Sequence, residues 1–412
     1  MLKVLVNAYA VSPNRGSEPG MGWNWCIHLA EECELFIITE GEFRTDIEKA
    51  LPTLPQSSRM HFYYLPVSTR IRKMCWDQGD WRFYFHYACW QHRARALAKS
   101  ICASNKIDII HQLNMVGFRE PGFLWAIKGP AFIWGPIGGM ALTPVQYFRD
   151  APLSSRCKMV LKNGITLFQR KWSPRVRSAI KHAHTVICAT PIELGIVSGY
   201  FKKKAVCISE TGAPAVMHHA KERSFQPPYH LVWVGKFMHR KQLGLALSVM
   251  EALKDEPVIL DVAGTGTDEE CARYRRMAEK MGITDKIAWH GQVPQEAVYG
   301  IMNRADLFFF TSVHETTSTV IMEALSCGLP VICFDACGFG PLVDSTLGIK
   351  IPLSTPEQSV GRFAQAIQKL ISQPDLLPGM SAQASIRAQT LNWDTKITQV
   401  LQVYKDALDT SV

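Results

Sequence analysis

The sequence predicts an α/β protein built from two doubly wound parallel-sheet domains, and three observations support this class. The chain has 412 residues, more than one hydrophobic core usually supports, so two domains are expected. Short runs of β-favouring apolar residues alternate with longer amphipathic runs along most of the chain. The turns between these runs are short, as in β-α units on a parallel sheet.

The alternation is clearest after residue 230, where each short apolar run precedes a helix-like run. The strands predicted there are LVWVG, VILDVAG, KIAWHG, DLFFFTS and PVICFD. The first half is less regular and predicts KVLVNAY, LFIITE, MHFYYLP, DIIHQL, AFIWG, TVICAT and AVCIS. A turn-rich linker is expected between the halves. The predicted boundaries are an N-terminal domain over 1–208, the linker over 209–229, a C-terminal domain over 230–385 and a C-terminal helix over 386–412 that packs back towards the N-terminal domain.

Positive charge is concentrated in the first half of the chain. Residues 1–205 carry a net charge of +13, and residues 206–412 carry −4. The excess lies in 68–99 and 156–181, where basic residues are interleaved with aromatic ones. This pattern indicates a basic face that meets anions, although solvated charged faces or a bound anionic glycan would also explain it. No nucleic-acid recognition motif accompanies the charge, so no nucleic acid is expected as a partner.

The sequence also limits membrane and redox interpretations. No run approaches the roughly 18 uninterrupted apolar residues that a spanning helix requires. The N-terminal MLKVLVNAYA predicts a first strand rather than a signal peptide, because its apolar run is short and interrupted. The twelve cysteines are scattered, and Cys333 and Cys337 lack a second cluster that would complete a zinc site. Reduced thiols in a cytoplasmic protein are therefore expected.

Two glutamates mark a candidate site in TSVHETTSTVIMEALSCGLPVICFD, residues 311–335. Glu315 follows the predicted strand DLFFFT, and ligands of doubly wound sheets bind at the carboxyl ends of the strands. Glu323 is expected on the following helix, about 12 Å further along its axis. The pair could bracket a ligand whose phosphate meets the helix N-terminus.

The helix between these glutamates has its own start and stop signals. Thr316, Thr317 and Ser318 are N-cap candidates, and Gly328 is the expected C-terminal stop. A phosphate ligand would also need cations, and Lys236 and Lys241 flank the loop after the first strand of this half. Such lysines are often only solvated, but with the two glutamates they suggest a diphosphate pocket.

Several ordered motifs carry a family resemblance. VGKFMHRKQ, VAGTGTD, WHGQVP, ADLFFFTSVHETTSTVIMEALSCGLPVI and NWDTKITQVLQVY resemble family 4 retaining glycosyltransferases of GT-B fold. RGSEPGMGWNW, HQLNMVGFREPG and IWGPIGG resemble a bacterial surface-polysaccharide branch of that family. The resemblance implies two Rossmann-like domains facing a central cleft that binds a nucleotide-sugar.

The resemblance also implies roles for the candidate residues. Glu315 would contact the transferred sugar, and Glu323 would hydrogen-bond the ribose hydroxyls. Lys236 stands in the place of the family's usual arginine and Lys241 in that of its lysine, both neutralising the donor diphosphate. Replacing arginine by lysine substitutes a point charge for a bidentate fork. Gln242 stands where glycine is common.

Other donor-binding positions follow from the same resemblance. Ser318 stands where the family often has glycine, and the backbone N–H groups of Thr319 and Val320 would meet the β-phosphate. Gly235, in the motif VGKFMHRKQ, is a further donor-binding candidate. His290, followed by QVP, resembles the turn that lines the nucleotide base.

Four residues of the first half are further candidates. Gly20 and Gly22 would let the backbone approach the donor, although a glycine-rich turn can also reflect tight packing alone. His111 matches a place where many family members carry a histidine near the sugar, and the alternative is a hydrogen-bonded structural histidine. Arg119 could hold an acceptor phosphate, or it could pair with Glu120 or a helix end.

The resemblance implies a retaining hexosyl- or related transferase in which the leaving nucleoside diphosphate accepts the proton of the acceptor hydroxyl. The chain has no Asp-x-Asp sequence, and the lysines can replace a divalent ion, so no metal and no cofactor are expected. The expected acceptor is a glycan, lipid-linked, in capsule, exopolysaccharide or lipopolysaccharide synthesis. The basic half would then bind the anionic inner face of the cytoplasmic membrane peripherally.

Two alternatives to this function remain open. One is a catalytically silent GT-B scaffold subunit of a polysaccharide assembly. The other is a synthase that acts on a soluble sugar phosphate and needs no membrane surface. Against a membrane role for the aromatic residues, Phe83, Tyr87 and Trp90 recur at helical spacing and are expected to face the domain core.

Overall fold

The computed structural model describes residues 1–76, 80–149, 151, 153–214 and 223–409. The chain divides into two compact units. Unit 1 comprises Met1–Ala141, Gly164–Thr211 and Asp394–Val412, and unit 2 comprises Leu142–Asn163 and Gly212–Trp393. Part of the predicted linker, residues 215–222, lies outside the described residues.

Unit 1 is built on a parallel sheet of seven strands in the order β3-β2-β1-β4-β5-β6-β7. The strands are Leu2–Ala8 (β1), Cys33–Thr39 (β2), Met60–Tyr64 (β3), Ile109–Asn114 (β4), Ala131–Ile137 (β5), Thr185–Cys188 (β6) and Ala205–Cys207 (β7). All seven predicted strands of the first half are confirmed. The central strands β4 and β5 are buried throughout, as expected where helices cover both faces of a parallel sheet.

Unit 2 is a second parallel sheet, with six strands in the order β10-β9-β8-β11-β12-β13. The strands are Tyr229–Val234 (β8), Val258–Ala263 (β9), Ile287–Gly291 (β10), Leu307–Phe310 (β11), Val331–Phe334 (β12) and Gly348–Ile351 (β13). The sequence predicted the first five and missed β13, which is a four-residue edge strand. The expected class of two doubly wound parallel-sheet units is therefore confirmed.

Helices follow most strands, as the right-handed β-α-β rule requires. Their bounds are Ser17–Leu29 (α1), Arg44–Ala50 (α2), Thr69–Trp76 (α3), Arg82–Ser104 (α4), Leu153–Trp172 (α5), Pro174–His182 (α6), Pro191–Gly195 (α7), Leu243–Ala252 (α8), Asp268–Lys280 (α9), Gln295–Arg304 (α10), Thr319–Ser326 (α11), Pro356–Ser372 (α12), Leu376–Thr390 (α13) and Trp393–Asp409 (α14). Within the described ranges, no helix is both long and apolar enough to cross a membrane.

The units depart from the predicted boundaries in two places. Residues 142–163 were assigned to the N-terminal domain but belong to unit 2. The reason is that Tyr147, Phe148 and Met159 pack into the apolar core of unit 2. The predicted C-terminal helix over 386–412 is divided instead, because α13 ends at Thr390 and α14 starts at Trp393.

The aromatic stripe of α4 lies in the core of unit 1, as its spacing predicted. Phe83, Tyr87 and Trp90 are all buried. They surround the ring of Tyr9, and the Trp90 and Tyr9 rings lie 4.9 Å apart, edge to face. These aromatics therefore stabilise unit 1 and are not available to a membrane.

His111 is a structural residue of the same core, which corrects its assignment as a catalytic or sugar-contacting residue. Its imidazole is completely buried. Nε2 lies 2.7 Å from the carbonyl oxygen of Gly135, and Nδ1 lies 2.6 Å from the hydroxyl of Tyr404 on α14. Since a carbonyl only accepts, Nε2–H donates to Gly135 and Nδ1 accepts from Tyr404. Both ring nitrogens are thus used to tie α14 to β4 and β5.

Burial lowers the pKa of His111 to about 4, which makes the stability of unit 1 depend on pH. The unfolded histidine titrates near 6.5, so the unfolded state binds the extra proton first as the pH falls. Between pH 7 and pH 5 this group should cost about 2 kcal/mol of stability. Over this pH range, the free energy of unfolding of His111→Phe should fall by about 2 kcal/mol less than that of the wild type. Urea unfolding measures both.

His182→Phe provides the control for that experiment, because His182 is an exposed histidine of the same unit. It should leave the pH dependence unchanged. An identical loss of stability in the wild type and His111→Phe would show that His111 does not titrate as its burial implies.

Candidate active site

The candidate site lies where the strand order of unit 2 reverses. β8 pairs with β9 on one side and with β11 on the other, and the helices after β8 and β11 leave towards opposite faces of such a sheet. Ligands of doubly wound sheets bind at this crevice, beyond the carboxyl ends of the strands. The segments that follow β8 and β11 contain Lys241 and Glu315. The sequence placed both residues correctly relative to their strands.

Glu315 is held between two cations. Lys241 Nζ lies 2.7 Å from Oε1, and the Arg240 guanidinium contacts Oε2. The Ser312 hydroxyl donates to Oε1 at 3.0 Å. The side chains of Glu315 and Lys241 are each only 11% exposed, so this cluster is largely removed from water.

Each charged group of the cluster stabilises the ionised form of its partner. Burial alone would raise the pKa of Glu315, but the Lys241 and Arg240 cations outweigh it, so the pKa lies below its usual value. Burial lowers the pKa of Lys241, and the Glu315 carboxylate opposes that shift. The Lys241 ammonium also lies 5.0 Å from the centre of the Phe310 ring, a favourable cation–π distance.

Hydrogen bonds from the β11 segment fix the backbone of the cationic loop. The Thr311 hydroxyl lies within 2.8 Å of the Lys241 carbonyl and 3.1 Å of the Gln242 carbonyl. The Val313 amide donates to the Arg240 carbonyl at 2.9 Å, and the Ser312 hydroxyl oxygen lies 3.1 Å from the same carbonyl oxygen. Because both segments are bonded at several points, the loop presents its cations in a defined position.

The backbone conformation of Gln242 explains why glycine is common at this position in the family that the sequence resembles. Its φ is +54°, in the left-handed region, which costs a residue other than glycine roughly 1 kcal/mol or more. The side chain offsets that cost. Its Nε2 donates to the carbonyls of Tyr147 and His239, both at 2.7 Å.

The sequence did not identify Arg240 as a site residue. The role of the family's usual arginine was assigned to Lys236 instead. Lys236 is exposed, and its ammonium makes no ion pair among the described residues. Arg240 instead reaches Glu315, because residues 239–241 form a single 3₁₀ turn that directs both Arg240 and Lys241 to one side. The adjacent cations in HRK were the available signal, but spacing alone does not show which of them points inward.

Glu323 lies on α11, five residues into the helix counted from Thr319. Its carboxylate accepts from Gln295 Nε2 at 3.2 Å. Burial raises the pKa of Glu323, and the charge of Lys241 opposes this shift. Both glutamates are therefore within electrostatic reach of Lys241.

The N-terminus of α11 has the bounds that the sequence predicted. Ser318 is the N-cap residue, and its side chain makes no capping hydrogen bond. The first-turn residues Thr319 and Val320 follow directly. Gly328 adopts φ +67° just beyond the C-terminal end, which is the usual glycine stop of a helix.

His290 and Gly235 are placed near the strand ends of unit 2. His290 Nε2 lies 2.6 Å from Asp261 Oδ1, and His230 Nδ1 lies 2.7 Å from Asp261 Oδ2. The imidazole of His290 is thus tied to the sheet. Gly235 packs beneath the aliphatic chain of Lys241, so its small size helps to seat that lysine.

Two predicted glycines of unit 1 are explained by packing. A Cβ on Gly20 would lie 2.2 Å from the Arg15 carbonyl oxygen, and one on Gly22 would lie 2.5 Å from the Ala10 carbonyl oxygen. Real Cβ atoms do not approach backbone that closely. The tight-packing alternative therefore accounts for both positions without a ligand.

Arg119 also differs from its expected role as an acceptor anchor. Its Nε donates to Gln169 at 2.7 Å and its NH2 donates to the Thr166 hydroxyl at 2.6 Å, both on α5. Its expected alternative partner, Glu120, binds Arg175 instead. Arg119 therefore holds a helix in place.

We expect Lys241 and Lys236 to differ sharply in their contribution to stability. Lys241→Met removes the charge-assisted contact with Glu315 and the cation–π contact with Phe310 but leaves Glu315 paired with Arg240, so it should lower the free energy of unfolding by about 2 kcal/mol. Lys236→Met is the matched control and should change it by less than about 0.5 kcal/mol. Urea unfolding at neutral pH measures both, and equal losses would contradict the buried position of Lys241.

Comparison with known proteins identifies similar sequences and folds. Residues 217–387 match the family model described as Glycosyl transferases group 1. A D-inositol 3-phosphate glycosyltransferase of Streptomyces bingchenggensis is 25% identical over 202 residues, which are 46% of this chain and 43% of that protein. The chain thus spans less than half of the length of this relative.

Solved structures extend the likeness to the whole chain. Sucrose-phosphate synthase from Thermosynechococcus elongatus superposes with a TM-score of 0.62 at 16% identity and covers 100% of both chains. The Anabaena protein HepE, in complex with UDP, superposes with a TM-score of 0.62 at 12% identity and covers 98% of this chain and 100% of its own. The chain therefore has the GT-B fold, and its residues 217–387 match the group 1 glycosyltransferases.

Proposed function

We propose that this protein is a retaining glycosyltransferase that transfers a sugar, a hexose or a related sugar, from a nucleotide-sugar donor to an acceptor hydroxyl. The observation that carries the proposal is the cluster of half-buried Arg240 with buried Lys241 and Glu315 at the switch point between β8 and β11. Two cations converge on one carboxylate there. Cations held in this way can also make charge-assisted hydrogen bonds to an anion that binds beside them.

The anion that fits this position is the donor diphosphate. The exposed Lys236 follows the same strand and can add a third cation. The first turn of α11 can supply the N–H groups of Thr319 and Val320 to a phosphate oxygen. The UDP complex of HepE and the group 1 family match support a nucleotide donor, and Glu323 is then the candidate for the ribose hydroxyls.

In the proposed reaction the acceptor oxygen bonds to the anomeric carbon while the bond from that carbon to the β-phosphate oxygen breaks. The electron pair leaves with the nucleoside diphosphate, which takes the acceptor proton on the same face. Lys241 and Arg240 would stabilise the charge that develops on the leaving group, each by on the order of 3 kcal/mol. We propose that these cations do the work of a metal ion, and Glu315 would position the sugar and the cations together.

The acceptor can be proposed in two forms. The named activity of the Streptomyces relative favours a small phosphorylated acceptor, as for a synthase acting on a soluble sugar phosphate. The second candidate is a lipid-linked glycan in surface polysaccharide synthesis, with the protein peripheral to the inner face of the cytoplasmic membrane. The apolar surface of α5, with seven exposed large side chains, favours this second form. The intact cationic cluster argues against a silent scaffold.

Donor binding tests the site directly. Calorimetry with UDP-, GDP-, ADP- and dTDP-sugars should find one donor that binds the wild type. Lys241→Met and Glu323→Gln should each weaken that binding roughly 10- to 100-fold, because charge-assisted hydrogen bonds are lost. Lys254→Met, an exposed lysine of the same unit, is the control and should bind normally.

The same titrations can separate Arg240 from Lys236. Arg240→Gln should weaken donor binding more than Lys236→Gln does, because only Arg240 contacts Glu315. Circular dichroism should show that each variant is folded. If no nucleotide-sugar binds the wild type, the scaffold alternative replaces the transferase.

The acceptor can be identified with the donor that calorimetry selects. D-inositol 3-phosphate and hexose 6-phosphates should be assayed beside a sugar linked to a short polyprenyl diphosphate, with nucleoside diphosphate release as the readout. If the acceptor is a small phosphorylated molecule, as the name of the Streptomyces relative suggests, we expect turnover with D-inositol 3-phosphate or a hexose 6-phosphate. Turnover only with the lipid-linked sugar would favour the polysaccharide role. The anomeric proton coupling of the product reports whether configuration is retained.

A further inference from the structure

The helix α5, Leu153–Trp172, has its polar side turned inward. Its inward positions, which are buried or half-buried, are Ser155, Met159, Asn163, Thr166, Gln169 and Arg170. In an ordinary surface helix the apolar stripe faces the core and the polar stripe faces water. The arrangement in α5 is the reverse, apart from Met159.

Hydrogen bonds fix the helix in this reversed orientation. Arg119 donates to Thr166 and Gln169, at 2.6 and 2.7 Å. The amide of Asn163 forms two bonds with the backbone of Thr143, accepting from its N–H at 3.0 Å and donating to its carbonyl at 2.9 Å. Rotating the helix to bury its apolar face would break all four bonds, so the orientation is specified by the chain itself.

The outward side is apolar. Its exposed large side chains are Leu153, Val160, Leu161, Ile165, Leu167, Phe168 and Trp172. Leu161 and Phe168 are each 64% exposed. Soluble monomers rarely expose so many large apolar groups in one contiguous strip, and such strips generally mark a binding surface.

The charges of α5 border this strip. At 3.6 residues per turn, Arg156 lies along one edge of the apolar strip and Lys158 along the other. The exposed Lys162 and the half-buried Arg170, which donates to the Met140 carbonyl, lie towards the inward side. Lys171 adds a fifth cation, and the helix contains no aspartate or glutamate. Every charged group on the helix therefore favours an anionic partner.

One exposed aromatic residue, Tyr84, lies within electrostatic reach of Arg119, which contacts the C-terminal half of the same helix. Tyr84 at the start of α4 is close enough to Arg119 to raise its pKa, in opposition to the burial that lowers it, and Arg119 in turn contacts α5. The neighbouring Trp81 and Phe85 are 77% and 68% exposed. Tryptophan and tyrosine are preferred at the level of lipid headgroups.

We propose that the outward face of α5 lies in the interfacial region of an anionic lipid bilayer. An in-plane helix of this kind buries its apolar face at the boundary between headgroups and acyl chains, while its cations meet anionic headgroups. Each exposed Lys or Arg near such a surface contributes about 1 kcal/mol. The polar inward face, which in an isolated peptide would contact water, is here occupied by the protein.

The charge pattern favours lipid over a second copy of this chain. Two copies joined through α5 would bring together ten cations and no carboxylates from the two helices. Protein interfaces are also depleted in lysine at their centres. The proposal deepens the peripheral membrane association described above, and it does not depend on the nucleotide-sugar site.

Vesicle sedimentation of the full chain tests the proposal. We expect binding to vesicles that contain phosphatidylglycerol, little binding to pure phosphatidylcholine, and weaker binding at high salt. The double variant Leu161→Gln/Phe168→Gln should bind at least roughly tenfold more weakly, because two apolar groups no longer enter the bilayer. Arg156→Gln/Lys158→Gln should lose roughly 25-fold, at about fivefold per cation.

Two controls separate this surface from other effects. Ile386→Gln removes a 51% exposed isoleucine of α13 and should bind like the wild type. Lys241→Met should also bind vesicles normally, so failure of the donor site and failure of the membrane face are distinguishable. Unchanged vesicle binding by Leu161→Gln/Phe168→Gln would overturn the proposal.

A spectroscopic readout locates the contact. Cys157 is exposed on the outward side of α5 and can carry a polarity-sensitive fluorophore once the exposed Cys89 and Cys207 are replaced by serine. Its emission should shift to the blue on addition of anionic vesicles. If there is no shift, and the chain instead self-associates in a manner that Leu161→Gln/Phe168→Gln abolishes, the face is a dimer interface and the membrane proposal is wrong.

Discussion

The parallel pairing of β8 with β11 is the constraint on which the candidate site depends. It brings the ends of two strands that are distant in sequence to one edge of the sheet, with Leu231 beside Leu307 and Val232 beside Phe308. The residues that follow are then bonded to each other through Thr311 and Ser312. A buried carboxylate can be held against two cations only when both backbones are fixed in this way, because desolvated charges are tolerated only in good geometry.

The same principle explains why so many polar side chains of unit 1 serve structure. His111 and Arg119 are buried or half-buried, and each uses its donors on neighbouring elements. Both sit beside the corresponding strand reversal of their sheet, next to β4. A polar group that is removed from water must be paired, and in unit 1 the pairing partners are protein atoms. In unit 2 the cluster around Glu315 instead sets two cations against one carboxylate.

The sequence predicted the strands well and the inward directions of side chains poorly. Runs such as DLFFFTS carry their own signal, because apolar β-favouring residues between turns have few alternatives. Glu315, Glu323 and Lys241 were found because strand ends mark ligand edges. Arg240 was missed because a 3₁₀ turn, which spacing does not specify, turns it inward. The reversed orientation of α5 depends on Arg119 and Thr143, which are remote in sequence, so periodicity alone could not show that its apolar face is outward.

The bonds that hold the loop at 239–242 have an evolutionary consequence. Thr311 and Ser312 bind the carbonyl oxygens of residues 240, 241 and 242, and every residue type has a carbonyl. Side chains at these loop positions can therefore mutate without releasing the loop from the sheet edge. Selection can therefore vary the chemistry presented to a ligand while two hydroxyl groups keep the loop backbone in place, so specificity can change without moving the position of the site.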